Sequence, residues 1–185
     1  DAMEELSKFA IKHNIPVTQT VMGYSTMKRD HSHYAGQIGA LGGKNTNSLA
    51  KQTDLAIAVG TKLADFTTGS WTNFENENFK LVSINVSRFD ANKHLAQAVV
   101  GDARASLNEL SAALGDWKAP DEWNNKSQIE LKAWNEHVDK ESAPTNQEVP
   151  SYVQVVGAVY RNSDPSDIAV TAAGGLVGEV IQVWR

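Results

Sequence analysis

Apolar positions along the first 115 residues follow two periods that interchange, one helical and one typical of strands. Met3, Leu6, Phe9 and Ala10 recur at helical spacing, and a second helical pattern covers residues 45–53. Short apolar runs rich in strand-forming residues predict strands at 17–20, 55–59, 81–86 and 98–100. Strands that alternate with helices predict an α/β fold, a doubly wound parallel sheet covered by helices on both faces.

The ends of these elements carry ordinary stop and start signals. Asn14-Ile-Pro16 breaks the first helix, and Gly60 ends the strand at 55–59 where a strand-to-helix loop should begin. The stretch between Gly23 and Gly36 is predicted to be a long loop. Asp102 is a good N-cap for a helix that Gly115 ends. We therefore place a first domain at residues 1–115.

The rest of the chain has a different pattern. Residues 116–148 are rich in charge and show no strand, and one helical face there predicts a connecting helix. Residues 149–185 begin with a capping box at Ser151 and Gln154, followed by a helix, a strand at 168–171 and a small-residue turn. This segment is predicted to be the start of a second α/β domain. Without the rest of that domain, we expect four apolar side chains to be exposed: Val153, Val156, Ile168 and Val170.

Four segments, at residues 36–43, 58–71, 81–90 and 99–102, share their order and spacing with one known domain. The chain resembles the central domain of thiamine-diphosphate enzymes of the acetolactate synthase type, which is Rossmann-like. The segments 65–71 (Asp-Phe-Thr-Thr-Gly-Ser-Trp) and 172–176 (Ala-Ala-Gly-Gly-Leu) are similar to the branch that hydrolyses trihydroxycyclohexane-1,2-dione in inositol breakdown. The start at Asp1 and the end at Arg185 suggest a piece of a longer protein.

The resemblance implies a homo-oligomer, dimeric or tetrameric, that uses thiamine diphosphate and Mg²⁺ to cleave a C–C bond of a cyclic diketone. The family's Gly-Asp-Gly metal motif and its glutamate-bearing domain do not occur in this sequence. We therefore expect no catalytic residue and no metal ligand within these residues, and no activity from this chain alone. Two alternatives remain: a carboligase or decarboxylase with FAD in the central domain, and a non-catalytic nucleotide-binding or scaffold module.

The first candidate ligand loop is glycine-rich and contains Gly36, Gly39, Gly42 and Gly43. Its spacing differs from the dinucleotide fingerprint, but backbone N–H groups without neighbouring side chains can approach a phosphate at a helix start. The other interpretation is a tight loop between two elements. FAD binding here is possible, since some members of the family bind it in this domain, but nothing in the loop indicates it.

A second candidate loop follows the strand at 55–59 and contains Gly60, Asp65 and Thr67. Open α/β sheets bind ligands beyond the carboxyl ends of their strands. We favour a role facing a ligand or another subunit, because Phe66 and Trp71 would otherwise be exposed aromatic side chains. The competing interpretation is an ordered surface loop.

The third candidate is the turn of small residues Ala173, Gly174, Gly175 and Leu176. In the family, the matching turn lies against the cofactor's diphosphate, where small residues let backbone N–H groups reach phosphate oxygens. The resemblance thus implies that these four residues lie near the diphosphate in the intact enzyme. The alternative is a tight turn whose two glycines adopt positive φ.

Composition narrows the possible partners. The net charge is −5 and no basic cluster is present, which argues against nucleic acid. A membrane-spanning helix needs about 20 consecutive apolar residues, and no apolar run in the sequence is nearly that long. The absence of cysteines excludes disulfides, thiolate zinc sites and cysteine nucleophiles, and leads us to expect a cytoplasmic protein. His31 and His33 could supply two metal ligands, but a polar loop is the better interpretation because no carboxylate or cysteine stands at a recognisable ligand spacing from the pair.

Overall fold

A computed structural model describes all 185 residues. Up to residue 115, helices and strands alternate as the pattern predicts. The helices there are α1 (Ala2–His13), α2 (Lys44–Gln52), α3 (Asp65–Thr68), α4 (Arg88–Ala91) and α5 (Ala103–Leu114). The strands are β1 (Val17–Gln19), β2 (Tyr34–Gln37), β3 (Leu55–Val59), β4 (Lys80–Asn85) and β5 (Gln97–Val100). Three further helices follow, α6 (Asp121–Glu141), α7 (Tyr152–Arg161) and α8 (Val177–Val183).

All strand pairs are parallel, which confirms the predicted fold class. The strands hydrogen-bond in two groups, β1 with β2, and β4 between β3 and β5. Strand β2 lies within the stretch that the sequence predicts as a loop, so Gly36 belongs to a strand. That prediction was wrong because Tyr-Ala-Gly-Gln has little intrinsic strand preference, and its pairing with β1 comes from tertiary structure.

Helix α1 carries the apolar face that covers both groups of strands. Its side chains Phe9 and Ala10 are buried, Phe9 with Ile84 of β4 and Leu107 of α5, and Ala10 with Tyr34 of β2. The helix begins at an N-cap, Asp1, whose carboxylate accepts the N–H of Glu4 at 2.9 Å, and it ends at Asn14 in the left-handed conformation. The break predicted there is therefore a helix C-cap.

Helix α6 joins the two parts of the chain. Near its middle, Leu131 packs with Tyr34 of β2, and the Gln128 amide donates to the Tyr34 carbonyl at 2.9 Å. Its C-terminal half buries Val138 against α7 and α8, in a cluster with Val156 and Val183. The same helix thus contacts β2 near its middle and the helices of the last segment with its C-terminal half.

The last segment differs in part from the expectation. The capping box at Ser151 and Gln154 forms as predicted. Val156 is buried and Val153 is half-buried, because α6 and α8 cover them, so the exposure predicted for these two side chains was wrong. Ile168 and Val170 are 87% and 91% exposed, as predicted. Residues 168–171 are not a strand, since no neighbouring strand pairs with them. No helix has the length and hydrophobicity needed to cross a membrane.

Candidate functional site

The glycine-rich loop after β2 is held tightly by its neighbours. The Ala40 N–H donates to the Phe66 carbonyl at 2.8 Å, and the Asn47 side chain bonds both the N–H and the carbonyl of Gly39 at 3.0 Å. The Gly42 and Gly43 N–H groups donate to the carbonyls of Gly39 and Gln37. These four N–H groups are therefore engaged within the protein, whereas the N–H groups of Lys44, Asn45 and Thr46 in the first turn of α2 bond no protein acceptor.

Gly39 shows why this loop requires glycine. Its φ is +108°, and a Cβ atom there would lie 2.4 Å from the Phe66 carbonyl oxygen and 2.9 Å from Thr67 Cα. The structure thus brings Gly39 against α3, with Asp65 exposed at the start of that helix. Gly60, at φ +64°, has open space around it and does not join this contact. Close packing accounts for Gly39 without a ligand.

The segment that follows α3 contributes Trp71 to an aromatic cluster. Trp71 packs with Leu63, Leu81 and Phe79 and stacks on the His94 ring, with ring centroids 4.2 Å apart. The His94 Nε2 atom is 2.9 Å from the Leu63 carbonyl oxygen. Trp71 is therefore covered by its own chain, without a ligand or a second subunit, whereas Phe66 is 55% exposed.

Several non-glycine residues of this region have left-handed backbone conformations. They are Leu63, Ser70, Trp71, His94 and Leu95, with φ between +47° and +73°. Such conformations cost of order 1 kcal/mol each and persist where the surrounding structure enforces them. The Trp71–His94 stack and the bond from His94 to Leu63 hold the two loops after β3 and β4 together. No sequence pattern indicates this role for His94, because its partners Leu63 and Trp71 lie in another loop.

The third candidate turn is open to solvent. Residues Ala173, Gly174 and Gly175 are exposed, as is Leu176. None of the N–H groups from Ala172 to Leu176 donates a hydrogen bond, so this turn offers free backbone donors. Gly175 lies against Tyr152, since a Cβ atom there would be 3.0 Å from the tyrosine ring.

Gln182, in the helix α8 that follows this turn, bonds the glycine-rich loop. Its amide nitrogen donates to the Leu41 carbonyl at 2.7 Å, and its oxygen accepts the Trp134 indole N–H at 2.8 Å. Gly178 also lies close to Leu41, since a Cβ atom added at Gly178 would be 3.3 Å from Leu41 Cδ2. The two predicted glycine segments therefore lie on either side of one groove, a juxtaposition that their separation in sequence conceals.

The groove has a volume of about 420 Å³. Its charged side chains are Glu141 and Glu179, and neither lysine nor arginine lines it. Two carboxylates repel a diphosphate, so tight binding of that group needs a divalent cation or cationic side chains from elsewhere. No group of three or more histidine and carboxylate side chains in this chain is arranged to hold a metal ion.

The histidine pair is engaged in polar contacts inside the protein. His31 Nε2 is 2.8 Å from Ser7 Oγ, and the His33 N–H donates to His31 Nδ1 at 3.1 Å. His33 Nε2 is 3.2 Å from Asn14 Oδ1. Burial, with a smaller contribution from His31, lowers the pKa of His33 below its usual range. These contacts support the interpretation of an ordered polar loop.

The fold and the turn define a class of domain that comparison with known proteins also identifies. The family described as "Thiamine pyrophosphate enzyme, central domain" matches residues 1–110. The chain belongs to this family. Thiamine pyrophosphate is the same compound as thiamine diphosphate.

Several relatives of known name are similar to the whole chain, and they share one enzyme name. A 3D-(3,5/4)-trihydroxycyclohexane-1,2-dione hydrolase of Geobacillus thermodenitrificans is 34% identical over 207 aligned positions, covering 100% of this chain and 32% of the relative. The protein of the same name from Clostridium perfringens is 30% identical, with 100% and 33% covered. The 3D-(3,5/4)-trihydroxycyclohexane-1,2-dione hydrolase 2 of Bacillus cereus is 32% identical, covering 100% of this chain and 32% of the relative. The chain spans about a third of the length of these relatives.

Proposed function

We propose that the longer protein to which this chain corresponds is a thiamine-diphosphate-dependent hydrolase of trihydroxycyclohexane-1,2-dione, acting in inositol degradation. The main support is that hydrolases of that name align with the whole chain, whereas the family model matches only residues 1–110. We also propose that the protein is a cytoplasmic homo-oligomer that requires Mg²⁺.

In this proposal residues 1–115 are the central domain, 116–148 connect, and 149–185 open the diphosphate-binding domain. The exposed turn at Ala173–Leu176 lies beside the cofactor's diphosphate, which its free N–H groups would contact. When bound, thiamine diphosphate supplies a carbanion and an electron sink for cleavage of the C–C bond. This chain contributes N–H donors and spacing between domains, and the metal ligands come from the rest of the protein.

A carboligase with FAD in the central domain is the second candidate. Four N–H groups of the glycine-rich loop are engaged within the protein, and only the first turn of α2 keeps free donors for a flavin diphosphate. The named relatives are hydrolases. The third candidate is a non-catalytic nucleotide-binding or scaffold module. It applies only to the 185-residue chain by itself.

The test is a substrate comparison with the longer protein. We expect it to consume the cyclic dione when thiamine diphosphate and Mg²⁺ are present, and to lose that activity when EDTA removes the metal. Pyruvate is the control substrate, and the absorption spectrum of the purified protein reports bound flavin. Turnover of pyruvate to acetolactate with a flavin spectrum, and none of the dione, would establish the carboligase instead.

A further inference from the structure

The turn Ala173–Leu176 is not held in place by hydrogen bonds of its own. The N–H groups of residues 168–176 donate no hydrogen bond, and residues 164–176 are all exposed. Gly175 lies close to the Tyr152 ring. Helix α8 begins at the next residue after the turn, so the position of this helix determines where the free N–H groups of the turn lie.

Helix α8 is bound at its C-terminal end by two side chains from the loop between β1 and β2. The Arg29 guanidinium donates to the Ile181 carbonyl, and the Tyr24 hydroxyl donates to the Trp184 carbonyl at 3.0 Å. The last carbonyls of a helix have no partner within it, so donors from elsewhere satisfy them. A cation beside these carbonyls also interacts favourably with the helix dipole.

The two side chains also bind each other. Arg29 Nη2 donates to the Tyr24 oxygen at 3.2 Å, a bond that the hydroxyl accepts while it donates its own hydrogen to Trp184. The guanidinium carbon of Arg29 is 5.4 Å from the centre of the Tyr24 ring, within the range of a cation–π interaction. Arg29 and Tyr24 therefore hold α8 as one unit, the Arg29–Tyr24 pair.

The loop that carries this pair is fixed to β1. Its first residues form a short 3₁₀ helix, Val21–Gly23, whose N-cap Thr20 accepts the Gly23 N–H on its side-chain oxygen at 3.0 Å. Between the two members of the pair, Met27 is buried, and its carbonyl accepts the Gln19 amide of β1 at 2.7 Å. The pair is thus presented from a defined position at the carboxyl end of β1.

The loop after β2 binds the same end of the helix. Gln182, the residue after the one that Arg29 bonds, donates to the Leu41 carbonyl at 2.7 Å. Loops at the carboxyl ends of β1 and β2 therefore both hold α8. With seven residues, the helix is about 10 Å long, so a displacement of its C-terminal end also moves the turn at its other end.

We propose that Arg29 and Tyr24 are positioning residues for the turn that binds the diphosphate. By bonding the last carbonyls of α8 they fix the helix against the central domain, and the helix in turn fixes the free N–H groups of Ala173–Leu176. The inference rests on the proposed function, because it takes the ligand of the turn to be thiamine diphosphate. The pair acts on cofactor affinity through α8 and not by contact.

Substitution of the pair in the longer protein tests the inference. Arg29→Met keeps the length of the side chain and removes its donors and its charge. In calorimetric titration with thiamine diphosphate in the presence of Mg²⁺, the Kd should rise at least about tenfold, since small displacements of aligned groups are costly. Tyr24→Phe removes only the hydroxyl and should raise the Kd about threefold. At saturating cofactor, the kcat and the KM for the dione should stay within about twofold of the parent values.

Arg29→Lys and Arg104→Met are the matched controls. Lysine keeps a cation near the helix end and should bring the Kd back to within about threefold of the parent value. Arg104 is an exposed arginine of α5 whose side chain makes no hydrogen bond or ion pair, so its replacement should leave the Kd unchanged. A purely structural role of Arg29 would instead lower the melting temperature of the cofactor-free protein and leave the Kd unchanged, which would overturn the inference.

A double variant shows whether the pair acts through the turn. Gly174→Val disturbs the turn itself, so Arg29→Met should weaken binding much less in that background than in the parent protein. If the two losses multiply in full, the inference is overturned and the proposed function stands. If the parent protein itself binds no thiamine diphosphate, the proposed function fails and the inference fails with it.

Discussion

Replacing Gly39 with alanine should lower the free energy of unfolding of this chain by about 3 kcal/mol, estimated from two separate costs. An L-residue at φ +108° is strained, and the new Cβ would lie 2.4 Å from the Phe66 carbonyl oxygen, so α3 must move. In urea denaturation the midpoint should fall by roughly 1–2 M, with little change in slope.

Gly60→Ala is the matched control for this prediction. Gly60 also has positive φ, at +64°, but nothing lies within 4 Å of its Cβ position. It should cost only about 1 kcal/mol, the backbone term by itself. Failure of the Gly39 variant to fold, beside a folded Gly60 variant, would also show that the contact with Phe66 limits this position to glycine. Equal losses at the two positions would show that the contact with Phe66 carries no energy.

Replacing Gly174 with valine in the longer protein should reduce turnover of the dione by at least about tenfold, equivalent to about 1.4 kcal/mol in transition-state stabilisation. Gly174 has φ +150°, and the N–H groups around it are free and exposed. A β-branched side chain disfavours that conformation and covers donors that we propose contact the diphosphate. The apparent affinity for thiamine diphosphate should fall with turnover, while the circular dichroism spectrum stays unchanged.

Gly115→Val is the control for the Gly174 variant. Gly115 likewise has positive φ, at +59°, and open space, but it follows α5 and is far along the chain from the turn. Its turnover should stay near that of the parent protein. Gly43 would be a poor control, since a Cβ atom there lies 2.3 Å from Asn45 Oδ1. Full activity of the Gly174 variant would remove the turn from the cofactor site.

Local signals in the sequence predicted local structure well. The strand β3 has the predicted limits, and Asp102 caps α5 through the Ala105 N–H at 2.9 Å. The capping box at Ser151 also forms. In each case the residues that determine the feature are within a few positions of one another, so pattern and structure agree.

The features that sequence reasoning missed depend on contacts between distant segments. Strand β2 forms only because β1 pairs with it, and residues 168–171 remain unpaired because no strand adjoins them. The bridge from Gln182 to Leu41 and Trp134 joins positions that no motif relates. The resemblance to a family indicated the turn at Ala173–Leu176, but no pattern in the chain indicated the groove beside it.

We infer that this chain carries one part of a thiamine-diphosphate site that other parts of the longer protein complete. Calorimetric titration of the 185-residue chain and of the longer protein with thiamine diphosphate and Mg²⁺ distinguishes a partial site from a complete one. We expect micromolar or tighter binding by the longer protein. The chain alone should bind no more tightly than about millimolar, because a few N–H contacts beside Glu179 yield little free energy once the cost of association is subtracted. Submicromolar binding by the chain alone, or none by the longer protein, would contradict the claim.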